Sequence, residues 1–188
     1  MKPIEVSEVK HIADYEILRP DWRPRMIALK DRRRIRVGAH MTFLFENRET
    51  VLYQIQEMMR IERMQGAREI AHEVATYNEL IPAAGELSAS LLIEYETAAE
   101  RDVWLPALLG LEHHIWIVTA GRRSLARFDD RQISGERLSS VQYIKFPLTA
   151  EQVAAFPHGA KIVIDHPKYL AEHHLTPEQL QELAADIG

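Results

Sequence analysis

Residues 41–64 read MTFLFENRETVLYQIQEMMRIERM and change character in the middle. Residues 41–45 are rich in β-favouring residues and follow a break at Gly38, which predicts a strand that ends at Phe45. From Arg48 the apolar residues recur at helical spacing, and Asn47 has a side chain suited to capping a helix. We therefore expect a strand that passes directly into a helix spanning about 48–64, which is typical of a mixed fold.

A second helix is predicted after the break at Gln65-Gly66, because apolar residues recur at helical spacing from Ala67 to Ile81. Two helices joined by so short a break should form a helical hairpin. Nearer the start, residues 6–18 predict a short helix that ends before Pro20, and a basic helix is expected after Pro24.

The second half of the chain has the pattern of a β-sheet. Five short runs rich in Ile, Val, Tyr and Trp are separated by turn residues, at 88–96, 113–120, 124–129, 140–146 and 160–165. Capping-box patterns at Thr97, Thr149 and Thr176 predict short helices between and after them. The expected fold is α+β: one domain over 1–188, mostly helical over 1–82 and sheet-rich over 83–188. Its antiparallel sheet should have about five to seven strands, with a helical hairpin and flanking short helices.

Composition excludes several classes of chemistry. The 188 residues include no cysteine, so disulfides, thiolate metal sites, a cysteine nucleophile and protein-ligated iron–sulfur clusters are excluded. The sequence begins without the apolar segment of a signal peptide, and its longest apolar run, 104–111, is too short to span a bilayer. We expect a cytoplasmic protein with no membrane association.

Positive charge is concentrated between residues 19 and 36. Eight Lys or Arg and two Asp give this segment a charge of +6. Because the net charge of the whole chain is −5, the rest of the chain carries −11. The net negative charge and a single aromatic residue in the segment make nucleic-acid binding an unfavoured function. The segment is expected to be a solvated basic face that pairs with acidic helices of the same chain or of a second subunit in a homo-oligomer.

Glycine spacing bears on nucleotide binding. The eight glycines are never closer than eleven residues apart, so neither a dinucleotide fingerprint nor a phosphate-binding loop occurs. HExxH and GxSxG motifs are also absent. No nucleotide cofactor is indicated.

The junction between strand and helix provides candidate binding residues. Glu46 and Arg48 flank the cap, and Gln54 and Glu62 follow on the helix. Glu62 lies seven residues after Ile55 and so continues the apolar stripe, which predicts a buried carboxylate that must be paired, protonated or metal-bound. The alternative is that Glu46 and Arg48 have no role in binding and belong only to the capped N-terminal end of the helix.

Asp165-His166-Pro167 ends a predicted strand and places an acid and an imidazole at a sheet margin. We expect Asp165 and His166 to approach the 46–62 region and form one polar pocket. A divalent metal is the candidate cofactor, with His166, Glu62 and His72 as candidate ligands, the last because Glu69 and His72 form an i, i+3 pair. In the alternative, the Asp165 segment is only a turn and His72 is solvent-exposed.

Several of these segments together resemble a known family. The stretch 44–58, with Thr76-Tyr77-Asn78, the residues 93–96 and Asp165-His166-Pro167, resembles the bacterial family catalogued as domain of unknown function 3501. The resemblance supplies no reaction. It implies a genomic setting beside rubrerythrin-like and iron–sulfur oxidoreductase-like proteins, and hence a redox or oxidative-stress system.

Two functions follow. In the first, the protein is an accessory partner of a redox protein, which it binds through the basic segment 19–36 or an exposed sheet edge. In the second, it is a metal-dependent or acid/base enzyme acting on a small molecule, with a site that gathers Glu46, Arg48, Glu62, Asp165 and His166. The first is favoured because no group of residues has the specificity of a catalytic motif.

Overall fold

The computed structural model describes residues 1–132 and 135–188, and within them six helices and nine strands. The helices are α1 (Ile12–Arg32), α2 (Arg48–Glu62), α3 (Ala67–Asn78), α4 (Ala98–Ala107), α5 (Ala150–Ala155) and α6 (Pro177–Ile187). The strands are β1 (Arg34–Val37), β2 (Met41–Glu46), β3 (Glu86–Ile93), β4 (Ile115–Thr119), β5 (Arg122–Leu125), β6 (Arg127–Phe128), β7 (Val141–Pro147), β8 (Ala160–His166) and β9 (Tyr169–His174).

The strands form two antiparallel sheets that meet at both margins. The first sheet has the order β1-β2-β3-β7-β6 and the second β5-β4-β8-β9. Only Ala126 separates β5 from β6, so the chain crosses between the sheets there. At the other margin, the Tyr169 hydroxyl donates to the Val37 carbonyl at 2.8 Å and accepts from the His40 N–H at 2.9 Å. These contacts join β9 to β1.

The main apolar core lies between the two sheets. Alternate residues of each strand point inward, as period-two side-chain alternation requires, and Phe43, Phe45 and Phe146 are completely buried there. Leu183 and Ile187 of α6 belong to the same core. Each such side chain contributes about 1.5–3 kcal/mol by leaving water. The residues between them in the first sheet face outward, toward a second layer.

That second layer is the helical hairpin of α2 and α3. Its own apolar cluster includes Val51, Ile55 and Met59 from α2 and Val74 from α3. We call the face of the first sheet that is turned away from the main core its outer face. The hairpin covers part of this face, and the candidate site lies between them.

The prediction of two helices separated by Pro20 and Pro24 is wrong. One helix, α1, continues through both prolines. Each proline removes a helical hydrogen bond, but Tyr15, Met26 and Leu29 of this helix are buried in a cluster with Tyr53 of α2. Tertiary packing therefore outweighs the local break signals.

The predicted fold class, α+β with antiparallel strands, is confirmed. The predicted single sheet of five to seven strands is instead two sheets, with nine strands among the described residues. Asn47, Thr97, Thr149 and Thr176 all cap helices with their side chains, as predicted. The sequence analysis did not predict β9. No helix in the described ranges is long and apolar enough to cross a membrane.

Candidate functional site

A cavity of about 560 Å³ lies between the end of α3 and the outer face of β3, β6 and β7. We call it the outer chamber. Its lining combines aromatic and charged side chains, principally Tyr77, Tyr143, Arg127, Arg131, Asp129 and Lys145. Concave sites that join an apolar wall to a few polar groups are typical places for small-molecule binding.

A polar row crosses the first sheet, and Ser88, Lys145 and Arg127 of this row form the floor of the chamber. Strand register places Glu46 opposite Ser88, Ser88 opposite Lys145, and Lys145 opposite Arg127. Cross-strand partners point to the same face of a sheet, so all four side chains lie on the outer face. Strand pairing thus aligns an acid, a hydroxyl and two cations in one line.

The cations of this chamber differ in their partners. Lys145 Nζ lies 3.0 Å from Glu86 Oε1, and Arg131 bonds Asp129 and Glu79. Arg127 is exposed and forms no ion pair with any residue that the structure describes. Like charges opposite each other on paired strands are destabilising, and here only one of the pair is neutralised. Among the described residues, Arg127 is therefore the positive charge of this chamber that lacks an ion-pair partner.

Two tyrosines form the aromatic part of the wall. Burial raises the pKa of Tyr77, and burial followed by the charge of Glu46 raises the pKa of Tyr143. Both hydroxyls consequently stay protonated at neutral pH and can donate hydrogen bonds. Within the described residues the Tyr143 hydroxyl has no hydrogen-bond partner; only its backbone N–H is bonded, to Gln132 Oε1 at 2.8 Å.

A second cavity of about 180 Å³ adjoins the first, and we call it the inner chamber. The two chambers share Tyr77, Leu80 and Tyr143. The polar groups that the inner chamber adds are Lys30, Glu46, Gln54 and Ser90.

Glu46 is held rigidly at this position. Its carboxylate accepts hydrogen bonds from the Thr50 hydroxyl at 2.5 Å and the Ser90 hydroxyl at 2.7 Å, and only 7% of the residue is exposed. Buried Arg33 also donates to the Glu46 carbonyl at 3.2 Å. These two hydroxyl donors hold the Glu46 carboxyl group in one orientation in the wall of the inner chamber.

Lys30 reaches the inner chamber from α1. Its Nζ donates a long hydrogen bond of 3.4 Å to Gln54 Oε1 and lies 5.5 Å from the centre of the Tyr53 ring. Burial lowers the pKa of Lys30, while the charge of Glu46 acts in the opposite direction.

Two of the sequence-predicted site residues, Glu46 and Gln54, line the inner chamber. Arg48 is placed elsewhere: its Nη2 bonds Glu8 at 2.5 and 2.6 Å, and its Nε donates to the Lys2 carbonyl at 3.0 Å. Arg48 thus attaches the N-terminal segment to α2.

The prediction that Glu62 is buried is wrong. Glu62 is exposed, because α2 ends at this residue and Arg63 adopts the left-handed conformation with φ of 55°. The apolar stripe that Glu62 appeared to continue ends with Met59. His72 is also exposed, on α3. In the ranges 1–132 and 135–188 no three His, Asp or Glu side chains converge as a metal ion would require.

The Asp165 and His166 side chains do not join Glu46. They lie on β8 of the second sheet, whereas Glu46 lies on β2 of the first, and they share no contact with it. The single polar pocket expected from the sequence is therefore not formed. His166 is buried; it accepts from the Lys168 N–H at 3.2 Å and its Nε2 lies 3.2 Å from the Leu109 carbonyl. Both ring nitrogens are thus satisfied by the backbone.

Asp165 points to the opposite side of its strand. It accepts hydrogen bonds from Arg123 at 2.5 Å, His114 at 3.0 Å and Trp116 at 3.1 Å. Burial alone would raise the pKa of Asp165, but these three hydrogen bonds lower it overall. Arg123 also stacks on Trp116, 4.4 Å from the ring centre. This cluster is a local network on the second sheet.

The sequence analysis missed Lys30 as an individual residue, together with Tyr77, Arg127, Tyr143 and Lys145. A signal was present in the strands, where Ser88 and Ser90, and likewise Tyr143 and Lys145, recur at a spacing of two. That spacing places polar groups on one face. Nothing local indicated that the hairpin would leave a cavity over that face.

Comparison with known proteins shows relatives of unknown function. A crystal structure of a protein of unknown function from Burkholderia pseudomallei K96243 matches with a TM-score of 0.93 and 28% sequence identity, covering 100% of each chain. A comparison with curated proteins gives no match. The model of the family described as "Protein of unknown function (DUF3501)" matches residues 3–187. The chain therefore belongs to this family of proteins of unknown function.

Proposed function

We propose that this protein binds a small organic anion in the outer chamber, with the anionic group at Arg127 and an aromatic or apolar body against Tyr77 and Tyr143. The observation that carries the proposal is the unpaired charge of Arg127. Arg127 is paired with Lys145 in the strand register, lines the chamber, and has no carboxylate partner among the described residues. A carboxylate or phosphate placed there would neutralise the excess charge.

Guanidinium chemistry supports this assignment. Arginine presents a planar fork of donors that matches carboxylate and phosphate oxygens. Ser88 and Lys145 occupy the same row, so an anion at Arg127 would have a hydroxyl and an ammonium group beside it. The neighbouring tyrosine hydroxyls remain protonated and can donate as well.

Chamber size and lining support a small aromatic or branched body. A volume of about 560 Å³ lies within the range that holds small ligands. Tyr77, Tyr143, Phe128 and Leu80 provide apolar surface for it. Because ions at exposed sites bind weakly in water, this apolar contact would supply much of the affinity.

Titration calorimetry with benzoate and with phenyl phosphate tests the proposal and separates the two anionic groups. We expect at least one to bind, and Arg127→Gln to weaken it about tenfold or more, as for a charged hydrogen bond. Arg25→Gln is the matched control, because Arg25 is an exposed arginine on α1 that forms no ion pair within the described ranges. Failure of both ligands to bind, or equal affinity of the Arg127 variant, would refute the proposal.

The redox-accessory role that the family resemblance implies stays a prediction, and one observation supports a docking surface for it. Arg23, Arg25 and Arg34 are exposed and form no ion pairs within the described ranges. Part of the basic segment is internally paired instead: Arg19 with Glu57, and Arg32 with Glu182. The free arginines would favour an acidic partner protein. Binding to an acidic partner protein that weakens with added salt and is abolished by Arg23→Glu would distinguish this role from anion binding at Arg127.

A further inference from the structure

We propose that the Lys30 amine is a nucleophile that forms an imine with an aldehyde or keto group of the bound anion. The inference rests on the proposed function and narrows its ligand to an oxo-acid: the anionic group lies in the outer chamber and the carbonyl group reaches the inner one. The two chambers adjoin, and Tyr77, Leu80 and Tyr143 line both of them.

Lys30 is placed for this role by its position and its neighbours. It leaves the last turns of α1, passes over the Tyr53 ring, and lines the inner chamber. Its hydrogen-bond partner is the neutral amide oxygen of Gln54, at the long distance of 3.4 Å. An amine held this loosely can turn toward a ligand.

The other lysines of the chain are held differently. Lys2, Lys145 and Lys161 bond carboxylates at 2.7, 3.0 and 2.7 Å. Lys10 and Lys168 are exposed. Lys30 alone combines partial burial with the lack of a carboxylate ion pair in the described part of the chain. Partial burial without a paired acid is the environment that activates lysine nucleophiles.

Electrostatics act in the same direction. Burial lowers the pKa of Lys30, and the nearby charge of Arg34 adds to that effect, while Glu46 and Glu57 oppose it. The neutral amine, which is the reactive form, is therefore more populated than in an exposed lysine. Glu46 also lines the chamber, with its carboxyl group held by the Thr50 and Ser90 hydroxyls.

The step balances without an oxidant or reductant. The lone pair of Nζ attacks the carbonyl carbon, and the C=O electron pair moves to oxygen to give a carbinolamine after proton transfer from nitrogen. The C–O bond then breaks and water leaves, so that one amine and one carbonyl give one imine and one water. Glu46 or solvent exchanges the protons.

Reductive trapping tests the inference on the unmodified protein. The protein is incubated with 4-formylbenzoate and cyanoborohydride at neutral pH, and the modified lysines are mapped by peptide mass spectrometry. We expect Lys30 to be modified about tenfold faster than Lys168, the exposed control lysine, as an activated amine should be. Excess benzoate should protect Lys30 but not Lys168. Equal modification of the two lysines would overturn the inference.

A variant separates this inference from the proposed function. Lys30→Met keeps the apolar stem against Tyr53 and removes the amine, so trapping at position 30 should be lost and total modification should fall. Benzoate binding without preferential trapping of Lys30 in the native protein would overturn the imine and leave the anion site intact. Absence of benzoate and phenyl phosphate binding would instead overturn the anion site.

Discussion

Arg127 and Lys145 lie directly opposite each other on paired strands of the first sheet. Lys145 has Glu86 as a partner, whereas Arg127 has no ion-pair partner in the described ranges. Two like charges opposite each other weaken a sheet by roughly 0.2–1 kcal/mol. A bound anion would offset this repulsion, but only while the ligand is present. The charge of Arg127 should therefore favour ligand binding and lower the stability of the ligand-free protein.

Arg127→Gln should therefore stabilise the protein when no ligand is bound. We expect an increase of about 0.5 kcal/mol in the free energy of unfolding at low salt, because the repulsion with Lys145 is removed. Urea unfolding at low and high salt measures it, and added salt should narrow the difference by screening. Arg25→Gln should change stability by less than about 0.3 kcal/mol. A loss of more than about 1 kcal/mol in the Arg127 variant would show that its side chain stabilises the fold.

Sequence patterns predicted those parts of the fold that depend on local chemistry. Asn47 and Thr176 have side chains that satisfy free N–H groups in the first turn of a helix, and this is a local interaction. The strand β9 was missed because three of its six residues, YLAEHH, are polar and half of them are exposed. The joining of the two sheets at β9 and β1 depends on Tyr169 meeting Val37, 132 residues away in sequence. No local pattern contains that contact.

The candidate site was predicted only in part, for a related reason. Glu46 and Gln54 lie on consecutive elements, and the strand-to-helix junction between them is readable from the sequence. Lys145 and Arg127 come from strands that reach Ser88 only through sheet register. Asp165 is a residue type that often occurs in functional sites, but its strand belongs to the second sheet. Residue types suggested which side chains could form a site, and long-range pairing decided which residues met.

Arg33 should be the most sensitive charged residue for stability. Its side chain is completely buried and donates to the Phe45 carbonyl at 2.9 Å, to Glu182 at 3.1 Å, and to Asp186. Arg33→Met leaves the buried Asp186 carboxylate unpaired, and we expect a loss of about 3–5 kcal/mol in denaturant unfolding. Arg32→Met is the matched control, since Arg32 bonds the same Glu182 from a half-exposed position and should cost under about 1 kcal/mol. Similar losses in the two variants would contradict the role of burial.

Glu57 should make stability depend on pH in the acid range. Burial acts to raise its pKa, but hydrogen bonds from Arg19 at 2.7 Å and Tyr15 at 2.5 Å lower the pKa of Glu57 to about 2, from an ordinary value of 4.5. A lowered carboxylate pKa stabilises the folded state fully above the unfolded value, and the contribution is lost as pH falls from about 4.5 through about 2.

Glu57→Gln tests this dependence. At pH 7 the variant should be less stable by about 1–3 kcal/mol, the range for a hydrogen-bonded charge, and the difference from the native protein should shrink steadily below pH 4.5. Unfolding midpoints measured between pH 7 and pH 2 give the curve. Glu49→Gln, at an exposed position in the first turn of α2, should show no comparable trend. A constant difference across the whole range would mean that packing, and not ionisation, causes the loss.

Tyr143→Phe should separate binding from stability. The Tyr143 hydroxyl lines both chambers and has no hydrogen-bond partner among the described residues, while its ring forms part of the wall. Removing only the hydroxyl keeps the ring and leaves no protein group without a partner, so the free energy of unfolding should change by less than about 0.5 kcal/mol. The affinity for benzoate or phenyl phosphate should fall roughly fivefold, because one neutral hydrogen bond to the ligand is lost.

The matched comparison is Tyr15→Phe, whose hydroxyl donates to Glu57 at 2.5 Å within the helical layer. That variant should lose stability, by about 1–2 kcal/mol, and keep its affinity for the ligand. Calorimetric titration and urea unfolding are measured on both variants. We expect the Tyr143 hydroxyl to affect only the affinity for the ligand and the Tyr15 hydroxyl to affect only the free energy of unfolding. If Tyr143→Phe bound the anion as tightly as the native protein, the hydroxyl would not contact the ligand, and the anion would have to lie nearer Arg131 at the solvent side of the chamber.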